Sequence, residues 1–259
     1  MNISVATYSL RDSMKKIGMA GMADYLNKIG VKFVEINNMF TTAKDLPENV
    51  KVFASRGIKT VLLTYDGNNF FIPADEDAAE DRRDQFNAMK PWIDAAKVAG
   101  IPIIRANMGH PPGFLSTEPE MLAALVATFK PIQEYAEKQG ITFVFENHGG
   151  PSSDVNFQLL VKKQFPSDKM GFLLDTGNYT PKSLVYENIE KLGKAIKIVH
   201  AKTYEFDKNG EETQLDFGRI TAALKKVGFD GFYSIEFEGK GDAKAGVEKT
   251  LALLKKYLA

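Results

Sequence analysis

Short apolar runs rich in β-branched residues alternate with longer amphipathic ones along the whole chain, and this alternation predicts strand and helix in strict succession. The first strand is read over residues 2–7, with further strands at 31–37, 60–64, 101–106, 142–146, 171–174, 196–200 and 232–236. Helices are read between and after them, over 13–29, 47–55, 74–99, 118–138, 154–164, 183–192, 217–227 and 243–257. The run at 2–7 alternates too little for a one-sided strand and suits one covered on both faces. Glycines stand at the helix-to-strand junctions, at Gly30, Gly57, Gly100, Gly140 and Gly228, where a C-terminal cap is wanted.

Strict alternation implies a parallel sheet. Eight βα units in 259 residues, close to the roughly 250 typical of a barrel, predict one (β/α)8 barrel domain over residues 1–259. An open doubly wound sheet is the alternative, and no G-x-G-x-x-G follows the first strand to support it. In a barrel the active site lies at the carboxyl ends of the strands.

Those ends are where the polar residues fall. ITFVFENHGG at 141–150 closes on Glu146, Asn147 and His148; MGFLLDTGN closes on Asp175, AIKIVHAK on His200 and FYSIEFEG on Glu236. Parallel strands would bring these groups to one face. Three carboxylates and one imidazole form a hard, oxygen-rich set that suits Mn²⁺ first, with Mg²⁺, Co²⁺ or Zn²⁺ as alternatives. Converging carboxylates repel one another unless a cation or protons intervene. The plainer account is that Asp175 caps the turn after its strand while Glu146 and Glu236 make ordinary salt bridges.

Composition narrows the picture. Thirty-three basic residues balance 33 acidic ones, so no global field favours nucleic acid or an anionic membrane. No apolar run is long enough to span a bilayer. The absence of cysteine excludes disulfides and thiolate metal sites. The start of the chain reads as a strand rather than a signal peptide, so the default compartment is cytoplasmic, or periplasmic if a leader precedes it.

FVFEN, LLDTGN, IVHAK and YSIEFEG, with VEI at the second strand and LDFGRI before the seventh helix, resemble the xylose isomerase-like barrels. That family includes ketose 3-epimerases, inosose dehydratases and endonuclease IV. The resemblance implies that Glu146, Asp175, His200 and Glu236 bind one divalent metal ion, and that Glu146 and Glu236 face a bound sugar from opposite sides as catalytic groups. It also implies a homo-oligomer, although no pattern in the chain marks an interface. Where the epimerases commonly carry a histidine three residues after the aspartate, this chain has Asn178, which can hydrogen-bond an oxygen but cannot shuttle a proton at neutral pH. The arginine they carry after the strand-seven histidine has no clear equivalent. Endonuclease IV-like repair needs many histidines for three zinc ions, and this chain has only His110, His148 and His200.

Further residues are candidates for holding substrate. Lys202, two past His200, shares its side of the strand. His148, two past Glu146, either contacts substrate or is satisfied by loop carbonyls. Glu35 ends the second strand and is a candidate for a sugar hydroxyl. Arg105 and Asn107 share parity on the fourth strand, Asn107 as a substrate contact, and Arg105 either in binding or in a structural pair with Glu35. Phe70, Phe71 and Phe114 wall the pocket or cover the barrel mouth, and the long polar segment 203–215 is a candidate lid.

The expected function is therefore a metal-dependent isomerase or epimerase that removes a proton beside the carbonyl of a sugar or sugar derivative. A lyase acting on a keto-sugar or keto-inositol is the nearest alternative. A barrel that binds sugar without catalysis is the alternative from another class.

Overall fold

A computed structural model describes residues 1–259. The strands are β1 (Ile3–Ala6), β2 (Phe33–Asn37), β3 (Lys59–Tyr65), β4 (Ile103–Ala106), β5 (Thr142–Glu146), β6 (Met170–Asp175), β7 (Ile196–Thr203) and β8 (Phe232–Phe237). The helices are α1 (Arg11–Lys28), α2 (Leu46–Ala54), α3 (Ala79–Ala99), α4 (Glu118–Lys138), α5 (Val155–Gln164), α6 (Leu184–Leu192), α7 (Phe217–Lys226) and α8 (Ala243–Leu258). All eight strands are parallel and pair in chain order, and β8 returns to β1 through Ile3–Tyr233, Ser4–Ser234 and Val5–Ile235. The sheet is closed, a single (β/α)8 barrel, which rules out the open alternative.

Two apolar layers hold it. The larger lies between the strands and the helical ring; the smaller fills the barrel floor with Leu62, Val144, Leu173 and Ile198. Side chains alternate across a strand, so the residues two further on point inward as well. Those residues are Thr64, Glu146, Asp175 and His200. The apolar floor thus sets the register of a polar layer directly above it.

The helix ends follow local chemistry. Gly100 caps α3 with φ of 71°, a left-handed conformation costly for any residue with a Cβ. Thr117 and Glu120 form a reciprocal capping box that starts α4 where the sequence pattern starts it. By contrast α3 begins at Ala79 rather than 74, because Asp75 accepts the Ala78 N–H (3.1 Å) and holds the chain in a turn first. The strand read at 196–200 runs on to Thr203, since β8 supplies partners for Ala201, Lys202 and Thr203. The segment 203–215 is correspondingly a pinned hairpin and not a free flap. Phe206 bridges Glu212, whose carboxylate accepts N–H groups from Gln214 and Leu215, and Glu211 accepts from Tyr257 on α8 (2.9 Å).

Phe70 and Phe71 neither wall a pocket nor cover the mouth. Both are buried between barrel and helices, Phe70 against Phe129 and Phe145, while Phe114 is 68% exposed. No helix is long and apolar enough to cross a membrane.

Candidate metal centre

Four consecutive strands each deliver one group to a common point. Glu146 and Asp175 are the last residues of β5 and β6, His200 lies within β7, and Glu236 is the penultimate residue of β8. All four are buried, and one ligand atom from each lies within 4.8 Å of every other. His200 Nδ1 is central, 3.6 Å from Glu146 Oε1, 3.7 Å from Asp175 Oδ2 and 3.5 Å from Glu236 Oε2.

The imidazole is aimed from behind. Its Nε2 hydrogen points at both oxygens of Glu35, at 3.1 and 3.0 Å. Glu35 in turn accepts from Ser234 (2.6 Å) and from Thr64. In neutral His200 this arrangement leaves the Nδ1 lone pair turned toward the three carboxylates, as metal-ligating histidines are commonly oriented. Asp175 Oδ2, His200 Nδ1 and Glu236 Oε2 are buried and have no hydrogen-bond partner. Burying three such atoms costs free energy unless something they share satisfies them. Their convergence and the hard donor set fit a divalent cation.

Two basic residues balance the acids. Arg105 on β4 grips Glu146 Oε2 through Nε and Nη2 and reaches Asp66 through Nη1. Asp66 also accepts from Asn37 (2.9 Å) and Asn107 (3.0 Å). Lys202 Nζ lies 2.9 Å from Asp175 Oδ2 and 3.0 Å from Glu236 Oε2, without hydrogen-bond alignment, and donates to Asn178 Oδ1 at 3.0 Å. Burial pushes the Glu146 carboxyl up, but Arg105 and His200 together outweigh it and hold the pKa down at about 2. Burial also opposes charge on Glu236, where His200 and Lys202 together draw the pKa below the ordinary carboxylate range. For His200 burial disfavours the cation, yet Glu35 and then Glu236 raise its pKa well above the usual value. The layer opens into a cavity of about 250 Å³ that Glu146, Glu236, Lys202, Arg105, Asp66 and Asn37 line together with Tyr8, Met39, His148 and Glu238.

A family model described as the xylose isomerase-like TIM barrel matches residues 23–257. The chain belongs to that family. Among solved structures it is similar to an L-ribulose 3-epimerase (TM-score 0.79, 16% identity, covering 99% of this chain and 94% of that one). It is also similar to a probable 3-DHS dehydratase from Bacillus anthracis (TM-score 0.76, 14% identity, covering 98% and 99%). At these identities the likeness is one of fold. A 58-residue stretch is 41% identical to the C-glycoside deglycosidase alpha subunit of Arthrobacter globiformis, covering 22% of this chain and 16% of that protein.

Within this xylose isomerase-like barrel the expected site residues sort into groups. Glu146, Asp175, His200 and Glu236 come together. Lys202 and Asn178 sit against them, Asn178 donating to Glu146 Oε1 (3.1 Å) while accepting from Lys202. His148 is exposed at the cavity wall, whereas Asn107 stands one step back, tied to Asp66. The Glu35–Arg105 pair does not form: Arg105 turns to the neighbouring β5 and the end of β3, and Glu35 is closed beneath His200. Asp66, Tyr8 and Glu238 escaped the sequence reading. Asp66 and Glu238 each carried a signal, as an acid one residue past a strand end, and Tyr8 carried none.

Glu35 is 1% exposed, so its effect on the centre runs through the imidazole. Glu35→Gln is expected to weaken Mn²⁺ affinity about 10–100-fold while leaving the fold intact. Calorimetric titration of the chelator-treated protein measures this.

Proposed function

We propose that the protein is an enzyme that binds one divalent cation, Mn²⁺ first among the candidates, through Glu146, Asp175, His200 and Glu236. We propose further that it removes a proton beside the carbonyl of a sugar or sugar derivative, as an isomerase or epimerase. The observation that carries the reading is the trio of buried atoms without a hydrogen bond that converge beneath a polar cavity. A divalent ion held there supplies the positive charge that makes a C–H bond beside a carbonyl acidic.

The residues divide the remaining work. Glu236 lines the cavity and serves as the base. Glu146, held by Arg105 on one oxygen and by Asn178 on the other, keeps its charge and position and lies across the site as the second carboxylate. Lys202, Asn178 and His148 offer hydrogen bonds to substrate oxygens. The apolar floor of the barrel closes the site from below.

One observation favours a second reading. Arg105 on Oε2 and Asn178 on Oε1 leave Glu146 no free oxygen to take a proton, and a site with a single effective base suits elimination of a β-substituent better than inversion of a carbon. The structural likeness to a probable dehydratase is compatible with this lyase reading.

Mn²⁺-loaded protein in D₂O is expected to wash deuterium into the carbon beside the carbonyl of at least one member of a ketose and keto-inositol panel. A labelled epimer or isomer supports the first reading, and an α,β-unsaturated product the second. No exchange into any panel member under saturating Mn²⁺ would point to sugar binding without catalysis.

A further inference from the structure

Lys202 lies where a basic residue is least expected in a cation site. Its Nζ is 2.9 Å from Asp175 Oδ2 and 3.0 Å from Glu236 Oε2. These are two of the atoms that converge on the common point, and neither has a hydrogen-bond partner. The Lys202 side chain is only 5% exposed. Room for its stem is made by Gly177, where a Cβ would come within 2.9 Å of Lys202 Cδ and 3.0 Å of its Cγ. The ammonium thus occupies a built position.

A second set of acceptors lies within reach of the same nitrogen. Asn178 Oδ1 already accepts from Nζ at 3.0 Å, and Oε2 of Glu238, whose side chain is 28% exposed at the cavity, is 3.6 Å away. Asn178 is suited to this post, because an amide can donate to Glu146 and accept from an ammonium at once. An ammonium and a divalent ion cannot both sit against the same two carboxylate oxygens without strong repulsion, since charges a few ångströms apart in a buried site are poorly screened.

We infer that Lys202 is a tethered counter-cation of the ion-free centre. It neutralises Asp175 and Glu236 until a divalent ion takes their oxygens, then rests on Asn178 and Glu238 with an N–H turned to a substrate oxygen in the cavity. This rests on the metal-centre reading above and adds an order to it: the ion enters first, and Lys202 becomes a substrate contact only afterwards. The residue therefore opposes metal binding while it stabilises the ion-free fold.

The test is calorimetric titration of chelator-treated protein with Mn²⁺, combined with thermal melting of the ion-free form. Lys202→Met is expected to bind Mn²⁺ about tenfold more tightly or better, the competing charge being gone, and to melt lower than wild type without ion. Lys202→Gln, which keeps a polar end for Asn178, is the second variant should the first not fold, and the same two changes are expected of it. Variants that bind Mn²⁺ no more tightly than a binding-competent wild type would overturn the role given to Lys202 and leave the centre standing. A wild-type protein that binds none of Mn²⁺, Mg²⁺, Co²⁺ or Zn²⁺ would overturn both.

Discussion

Glu236→Gln is expected to lower turnover by a factor on the order of 10²–10⁴, the range a positioned general base contributes, and to weaken Mn²⁺ uptake in the same protein. The side chain is isosteric, so the change is one of charge and basicity and not of volume. Glu236 Oε2 stands 3.5 Å from His200 Nδ1 and 3.0 Å from Lys202 Nζ, buried and without a hydrogen bond. An amide there offers the cation a neutral oxygen in place of an anionic one, and it offers the substrate no base at all. The ion-free fold is expected to survive, because Asp175 remains as a partner for Lys202 and one of three mutually repelling carboxylates is gone. Mn²⁺ titration and deuterium wash-in on the same preparation separate the two losses. Unchanged metal content together with unchanged turnover would remove Glu236 from the site.

The barrel and its four converging groups were legible in the sequence for one reason. In a parallel sheet the strand ends share a face, so the linear order of apolar run and polar terminus already encodes a spatial layer. Glu146, Asp175, His200 and Glu236 needed only that rule. What surrounds them did not follow from it. Parity places Arg105 inside the barrel, but whether it turns to β2 or to β5 is decided by side-chain reach across the closed sheet. The Glu35–Arg105 pair failed on that point. Glu35 looked like a polar strand end on the cavity, yet its place below His200 depends on Thr64 and Ser234 from two other strands. Strand 7 ran past His200 because β8 had residues free to pair, which is a property of the neighbour and not of the segment. Phe70 and Phe71 read as loop aromatics because their burial partners, Phe129, Phe145 and Phe157, are distant in the chain.

Arg105→Met tests the other half of the charge balance, and its largest effect is expected on stability. Arg105 and Glu146 are almost wholly buried, at 3% and 1% exposure. Removing one partner of such a pair strands the other, which typically costs about 3–5 kcal/mol. Methionine keeps most of the stem's packing, so the loss reports on charge. The pH dependence identifies the cause. In the wild-type protein Glu146 has a folded pKa of about 2 against an ordinary 4.5. Its contribution to stability is therefore present above about 4.5 and is lost only as pH falls toward 2. Without Arg105 burial acts unopposed by its largest counterweight, and the carboxyl pKa rises, so ionised Glu146 destabilises the variant at neutral pH. Lowering the pH protonates it and relieves that cost. The stability gap between wild type and variant is thus expected to be widest near pH 7 and to narrow toward pH 4, with Asp66, whose pKa Arg105 also lowers against burial, adding in the same direction. Urea unfolding of both ion-free proteins at the two pH values measures the gap. A gap of equal size at both would assign the loss to packing and remove Arg105 as the residue that keeps Glu146 charged.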